Sequence, residues 1–355
     1  MIHQAALTAD PDDNRRRLQQ VLDTVPAGEL ELPPGEWTIA DGLRVPAGWT
    51  IRGAEPVDPA AEAPASTLVS TGPGGHPILH VLGSDVAISD LQLRPPPADP
   101  GEHGGDRGTA VTIGDYLYAS VPAWIERVDL RRLSVERPGE KHANCIAVMG
   151  AVREVVVHDV AVHGGYTAVA VHWGAVGADV SSIVGPTFHP HQLSLTGLRV
   201  REAVEGFYLS SVHDVRVEGA CLRDVEMGFR LLPGDNTNRF VPSAYTGPAA
   251  TDDAGHADAH PSLAVDIGAR IDIGDCCVRW HGPRYGIRVA GWGRSEVDGV
   301  VSVLTYRDTL IHDCAVVGTG TGDAWSPIVV ERAAGVELRS VVAGSRHDGT
   351  CCPLG

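Results

Sequence analysis

Lysine is nearly missing from this chain of 355 residues: among 28 basic side chains, only Lys141 is not an arginine. Aromatic residues are scarce too, at 5% with four Phe, so a core must be assembled from many small Val, Ile, Leu and Ala contacts. No run of 18 or more apolar residues occurs, which excludes a membrane-spanning helix of ordinary length. The segment from Met1 to Asp10 has neither a basic n-region nor an apolar stretch, so no secretory leader is expected and the chain reads as cytoplasmic. Walker A, dinucleotide-binding, H-E-x-x-H and G-x-S-x-G patterns are absent, which sets aside nucleotide, zincin-protease and α/β-hydrolase chemistry.

Positive charge is in short supply as well. The 45 acidic residues leave a formal net charge of −17, against nucleic acid as a main partner because phosphate binding needs a basic surface. A long polyanion would be hard to attract unless arginines cluster locally. The seven Cys include no C-x-x-C pair. Cys276-Cys277 and Cys351-Cys352 are adjacent pairs, poorly shaped for a zinc knuckle or an ordinary disulfide, and most cysteines are expected as small buried side chains in a reducing compartment.

What is present is punctuation and repetition. Asp10-Pro11-Asp12-Asp13 supplies an N-cap, a proline at the first helical position and first-turn acids, while Leu18, Val21 and Leu22 recur at helical spacing, so a helix is predicted over 11–24. Short alternating strands broken by Pro-Gly or Ala-Gly turns follow at 30–39 and 43–54. Beyond them one unit recurs: a short strand, a turn often holding Asp or Gly, a second strand, and a third strand frequently led by Gly. The third strands include Cys145-Ile-Ala-Val-Met149, Ala168-Val-Ala-Val-His172, Gly206-Phe-Tyr-Leu-Ser210, Gly228-Phe-Arg-Leu-Leu232 and Gly286-Ile-Arg-Val-Ala290. Ala147 to Ala170 is 23 positions and Tyr208 to Arg230 is 22, whereas the wider gaps to Tyr208 and Arg288 fit one or two turns plus inserted loops. Three short strands per repeat with no interior helix predict an all-β, right-handed parallel β-helix of about 22–25 residues per coil, one domain over 1–355, with a long inserted loop at 233–262.

The entry Leu32-Pro-Pro-Gly35-x-Trp37-x-Ile39, then Val45-Pro-x-Gly48-x-Thr50-Ile-x-Gly53-Ala54, preceded by the helix, resembles that of the pectate-lyase-like superfamily of right-handed β-helices. The resemblance implies an N-terminal helix capping the open end of the solenoid. It implies no single activity, because the superfamily holds lyases, hydrolases, epimerases, transferases and non-catalytic proteins. The Asn-x-Asp with following Asp-Asp, the Trp-x-Asp-His and the Asp-Pro-His sets found in its catalytic branches are all missing.

Period 2 places chemistry on the repeat. Ile146/Val148, Val169/Val171, Phe207/Leu209, Phe229/Leu231 and Ile287/Val289 are expected to face inward. The residues between them form an outward column, Ala147, Ala170, Tyr208, Arg230 and Arg288, beside a second one of Met149, His172, Ser210, Leu232 and Ala290. Such columns read as a groove floor that is shallow at one end and reactive at the other. Tyr208 becomes a candidate base, His172 its partner, and Arg230 and Arg288 candidate stabilisers of a carboxylate or enolate, with positive charge gathered in the groove and acids spread elsewhere. Lys141, next to His142 at the same edge, is a candidate for elimination or Schiff-base chemistry.

Binding candidates come from the flanking segments. Trp173 follows the His172 strand directly, and His189 and His191 precede the next coil, where with His172 they also offer a divalent-cation alternative. The inserted loop brings Asp235, Asn236, Asn238 and Arg239, suited to a hydroxyl-rich ligand, and a His256/Asp258/His260 cluster that offers a second such alternative. Trp292 and Arg294 follow the Arg288 strand, Trp292 as a stacking platform for a sugar ring. The expectation is an enzyme without a cofactor, acting on a uronic-acid-like or oligosaccharide ligand by proton abstraction, as a lyase or epimerase. A cyclase or isomerase on a small metabolite and a non-catalytic binding solenoid are the alternatives.

Overall fold

The computed structural model describes residues 2–4, 6–54, 64–72, 76–97, 108–179, 183–232, 266–282, 284–291, 293–297, 300–318 and 326–344. The chain winds as a right-handed parallel β-helix in which each turn gives one strand to each of three sheets. The first sheet contains Ile125–Arg131, Val152–His158 and His191–Thr196; the second, Ser134–Arg137, Ala161–Gly164 and Arg199–Arg201; the third, Ile146–Met149, Thr167–His172 and Glu205–Ser210. Among the described residues the third sheet has nine strands, one for each of nine full turns.

The repeated Asp or Gly after the first strand has a backbone cause. Asp90, Asp159, Gly197, Gly219 and Asp313 sit where the chain bends from the first sheet to the second, at φ of 59°, 54°, 65°, 65° and 51°. That left-handed region is open to Gly and least costly, among other residues, for Asp and Asn. The acids are then bridged on the outside: Arg132 reaches Asp90 at 2.6 and 2.8 Å, and Arg199 reaches Asp159 at 2.6 Å. The Gly at the head of the third strands answers close approach. A Cβ at Gly206 would lie 2.6 Å from the Gly228 carbonyl, and one at Gly228 would lie 2.4 Å from that of Gly286.

The inward positions are as the period requires. Val148, Val171, Leu209, Leu231 and Val289 are fully buried, and Phe207 stacks on Phe229 at 4.6 Å with planes 3° apart. Each such side chain contributes about 1.5–3 kcal/mol by leaving water, so stability is spread along the solenoid.

The helix occupies Pro11–Thr24, with the Asp10 side chain accepting from the Asp12 and Asp13 amides at 2.9 and 3.2 Å. It closes the N-terminal end of the solenoid in two ways. Leu18 and Leu22 bury onto the core, and the Gln19 amide donates to the Arg44 carbonyl at 3.1 Å while accepting from the Arg44 N–H at 2.9 Å. Gln19 thereby satisfies the otherwise open edge of Leu43–Val45, the end strand of the third sheet.

The cysteines depart from expectation. Cys145, Cys276 and Cys314 are buried free thiols, but Cys221 and Cys277 are joined by a disulfide. They are lateral partners in adjacent coils, where strand spacing of about 4.8 Å suits a disulfide. Sequence spacing concealed the pair because 233–265 lies between the two strands.

Candidate functional site

The outward column is assembled coil by coil as the period requires. Thr112, Ala147, Ala170, Tyr208, Arg230 and Arg288 are successive lateral partners in the third sheet. The wide gaps before Tyr208 and Arg288 therefore each hold a single turn plus an insertion. The shallow end is not open floor: Thr112, Ala147 and Ala170 are buried, and accessible surface begins at Tyr208. The second column is largely covered as well, with Met149, Ser210 and Ala290 buried and His172 and Leu232 half-buried. At Met149 the cause is visible, since the Tyr118 hydroxyl donates to its carbonyl at 3.4 Å.

Four of the candidate residues meet or line up here. The Arg230 guanidinium carbon lies 4.0 Å from the Tyr208 ring centroid, a cation seated on the aromatic face. His172 presents its ring edge-on to Tyr208 at 4.9 Å, and Tyr116 stands behind it at 6.5 Å. One coil beyond Arg230, Arg288 pairs with Glu331 at 2.7 Å and lies over the Tyr285 ring at 5.4 Å.

Glu205, which the sequence reading did not single out, organises the cluster. It is fully buried, accepts from Arg230 Nε and Nη2 at 2.5 and 2.8 Å, and accepts from the Thr167 hydroxyl at 3.0 Å. Burial pushes its carboxyl above the usual range, while Arg230 and Thr167 pull the other way. Burial likewise opposes the Arg230 charge, but Glu205 outweighs it and holds the guanidinium firmly cationic. Three hydrogen bonds onto one carboxyl describe an ionised group, and we read the contact as a bidentate ion pair. The only sequence signal was an acid opening an otherwise apolar strand. The same geometry corrects the expected charge contrast: both column arginines carry their own carboxylates, so the groove floor is not strongly positive.

The remaining candidates fall elsewhere. Lys141 is half-exposed and pairs with Glu226 at 2.9 Å along the far edge of the sheet. Its turn is anchored by buried Arg137, which bonds Glu140 at 2.6 Å and the Pro96 and Gly108 carbonyls at 2.8 and 2.5 Å. Trp173 is 1% exposed and packs with Ala175, Ile183 and Tyr116 in the small sheet of Leu117–Tyr118, Gly174–Gly177 and Ile183–Phe188. It builds that wall and presents no face to a ligand. Asp235, Asn236, Asn238, Arg239, His256, Asp258, His260 and Trp292 lie outside the described residues, as does the side chain of Arg294 on Gly293–Val297.

His189 and His191 are buried at the start of a first-sheet strand, on a different sheet from His172. His189 Nδ1 lies 3.0 Å from His213 Nε2 in a stacked pair, and His191 Nδ1 meets the His189 carbonyl at 3.1 Å. Among the described residues no group of three His, Cys, Asp or Glu is placed to hold a metal ion. Burial, with the His191 charge nearby, drives the His189 imidazole down to about 3. Unfolded His189 takes a proton below 6.5 and folded His189 does not until about 3. The stability it contributes is thus complete above 6.5 and declines as pH falls. Between pH 6.5 and 5 the loss is about 2 kcal/mol from this group alone. Denaturant midpoints at pH 7 and 5 test this, with His189→Asn flattening the difference; parallel pH slopes in the two proteins would refute it.

A concavity of about 620 Å³ opens on the first sheet, lined by residues including Arg127, Val156, Gln192, Ser194 and Asp214. Its charged rim is engaged in ion pairs, Arg127 with Asp85 at 2.6 Å and Arg270 with Asp214. On the third sheet, by contrast, a phenol, an imidazole and a guanidinium converge.

No protein-family description and no curated protein matches the sequence. Solved structures do. The tailspike protein gp49 of Acinetobacter baumannii bacteriophage Fri1, a capsular polysaccharide depolymerase, aligns with TM-score 0.55 and 10% identity over 99% of this chain and 64% of that one. An alginate lyase from a Paenibacillus species aligns with TM-score 0.40 and 15% identity over 96% and 99%. The Azotobacter vinelandii mannuronan C-5 epimerase AlgE4 A-module aligns with TM-score 0.35 and 13% identity over 97% of each chain. At 10% identity the likeness to the tailspike protein is one of fold, and it agrees with the sheet topology: the chain is a right-handed parallel β-helix.

Proposed function

We propose that the chain is a carbohydrate-active β-helix enzyme that abstracts a proton next to the carboxylate of a uronic-acid-like or oligosaccharide ligand, as a lyase or epimerase. The observation that carries this reading is the Tyr208 ring held between the Arg230 guanidinium at 4.0 Å and the His172 edge at 4.9 Å. A tyrosine hydroxyl is a poor base until its phenolate is stabilised, and a fixed cation on the ring lowers that barrier. Glu205 screens part of the Arg230 charge, so the pair acts as an oriented dipole with its positive end against the phenol. Arg230 Nη1 takes no part in the Glu205 pair, and in this reading it meets the ligand carboxylate. His172 supplies the second proton-transfer group, and Arg288 extends the row one coil further.

A non-catalytic glycan-binding solenoid is the second reading. It is favoured by the first-sheet concavity of about 620 Å³, which lies away from the Tyr208 cluster. Incubation with a panel of polyuronates and capsular polysaccharides separates the two. Elimination is read as a new conjugated double bond in the ultraviolet, and epimerisation as altered C5 stereochemistry by NMR. Turnover of at least one uronate is expected; binding without any turnover across the panel would favour the solenoid reading.

A further inference from the structure

Four cysteines line up across three consecutive coils, and only two of them are bonded. The Cys221–Cys277 disulfide joins the coils on either side of 233–265. Cys276 precedes Cys277, and Cys314 precedes Ala315, the lateral partner of Cys277 one coil on. The Ala315 amide donates to the Cys276 carbonyl at 2.9 Å, so Cys276 and Cys314 share the same parallel register; the Cys276 thiol donates to the Gly274 carbonyl at 3.1 Å and the Cys314 thiol to the His312 carbonyl at 3.0 Å. Both are 2% exposed and belong to the solenoid core, whereas Cys277 lies outside that cluster and Cys221 is half-buried. The two pairs therefore occupy opposite sides of the second sheet, where exchange between them is sterically disfavoured.

We infer that Cys276 and Cys314 are a second, redox-closed staple, formed with a low-molecular-weight disulfide such as oxidised glutathione. The Cys314 thiolate attacks one glutathione sulfur and releases one glutathione thiolate. The Cys276 thiolate then attacks Cys314 Sγ in the mixed disulfide and releases the second. The two protein thiols are oxidised to one disulfide, one glutathione disulfide is reduced to two thiols, and the two protons pass to the released thiolates. The neighbouring Cys276 holds the Cys314 thiol below its ordinary range, while Cys314 and burial push the Cys276 thiol above its own, which suits Cys314 to attack first and Cys276 second. Access comes from the side of Ala334–Arg339 and Val342–Gly344, which are mostly exposed and, with few buried contacts, open more readily than the interior coils.

Closure would link covalently the coils that carry Arg288 and Glu331, as Cys221–Cys277 already links those that carry Arg230 and Arg288. The inference does not depend on the proposed activity. The full chain, folded and equilibrated in buffers of high and low oxidised-to-reduced glutathione ratio, is alkylated in denaturant, digested without reduction and mapped by mass spectrometry. A peptide linking Cys276 to Cys314 is expected in the oxidising buffer and two alkylated peptides in the reducing one. Free Cys276 and Cys314 in both buffers, a stable glutathione adduct on either, or a link from either to Cys277 would overturn the inference. The oxidising buffer is also expected to raise the thermal transition by roughly 5 °C or more. Cys314→Ala should lose the part of that rise not due to Cys221–Cys277, and a rise equal to wild type would count against the staple. Mapping of the wild-type chain decides the matter even if the variant does not fold.

Discussion

Replacing Tyr208 by Phe is expected to lower turnover of the identified uronate by about 10²–10⁴-fold, the usual contribution of a positioned acid or base. Stability should stay within about 0.5 kcal/mol of wild type. The substitution removes one oxygen and keeps the ring, so Arg230 retains its seat at 4.0 Å and His172 its edge contact at 4.9 Å. A role in packing alone would predict the reverse, a stability change with turnover preserved. Steady-state rates beside denaturant melts decide, and undiminished turnover in Tyr208→Phe would remove Tyr208 from the mechanism.

Glu205→Ala is expected to be the most damaging single change in the site to the fold, costing about 3–5 kcal/mol. The carboxyl is fully buried and engaged by Arg230 and Thr167, and the Arg230 side chain keeps only 20% of its exposure. Removing the acid strands a desolvated guanidinium. Glu205→Leu combined with Arg230→Leu should recover most of that loss, because neither charge then remains to be solvated. Activity should not recover, since the cation over Tyr208 is gone. If the double variant were as unstable as Glu205→Ala, the cost would lie in shape rather than in charge, and the ion-pair account of this cluster would fail. If it were stable and fully active, Arg230 would have no part in the chemistry.

The pattern of success and failure in reading the sequence has one physical origin. Properties set by a residue and its immediate neighbours were legible. The helix over Pro11–Thr24 follows from its cap and its apolar spacing. The Asp and Gly at the bends follow from the left-handed φ those positions require. The strand period decides which side chains face the core, and the column from Ala147 to Arg288 pairs coil by coil as that period demands.

What a side chain touches across coils was not legible, because it depends on register and on what inserted segments lay over the sheet. Trp173, His189 and His191 looked like ligands for a substrate, yet all three are buried, Trp173 against Ala175, Ile183 and Tyr116, His189 against His213 and His191 beside Trp124. Glu205 and Arg230 are 25 positions apart, and nothing local marks them as partners. Cys221 and Cys277 pair across the longest insertion for the same reason. The sequence by itself determined the solenoid, its cap and the face on which Tyr208, Arg230 and Arg288 stand. Only the tertiary structure decided how their charges are balanced and which thiols meet. Periodicity specifies direction from the backbone, whereas contact between coils is specified by stacking.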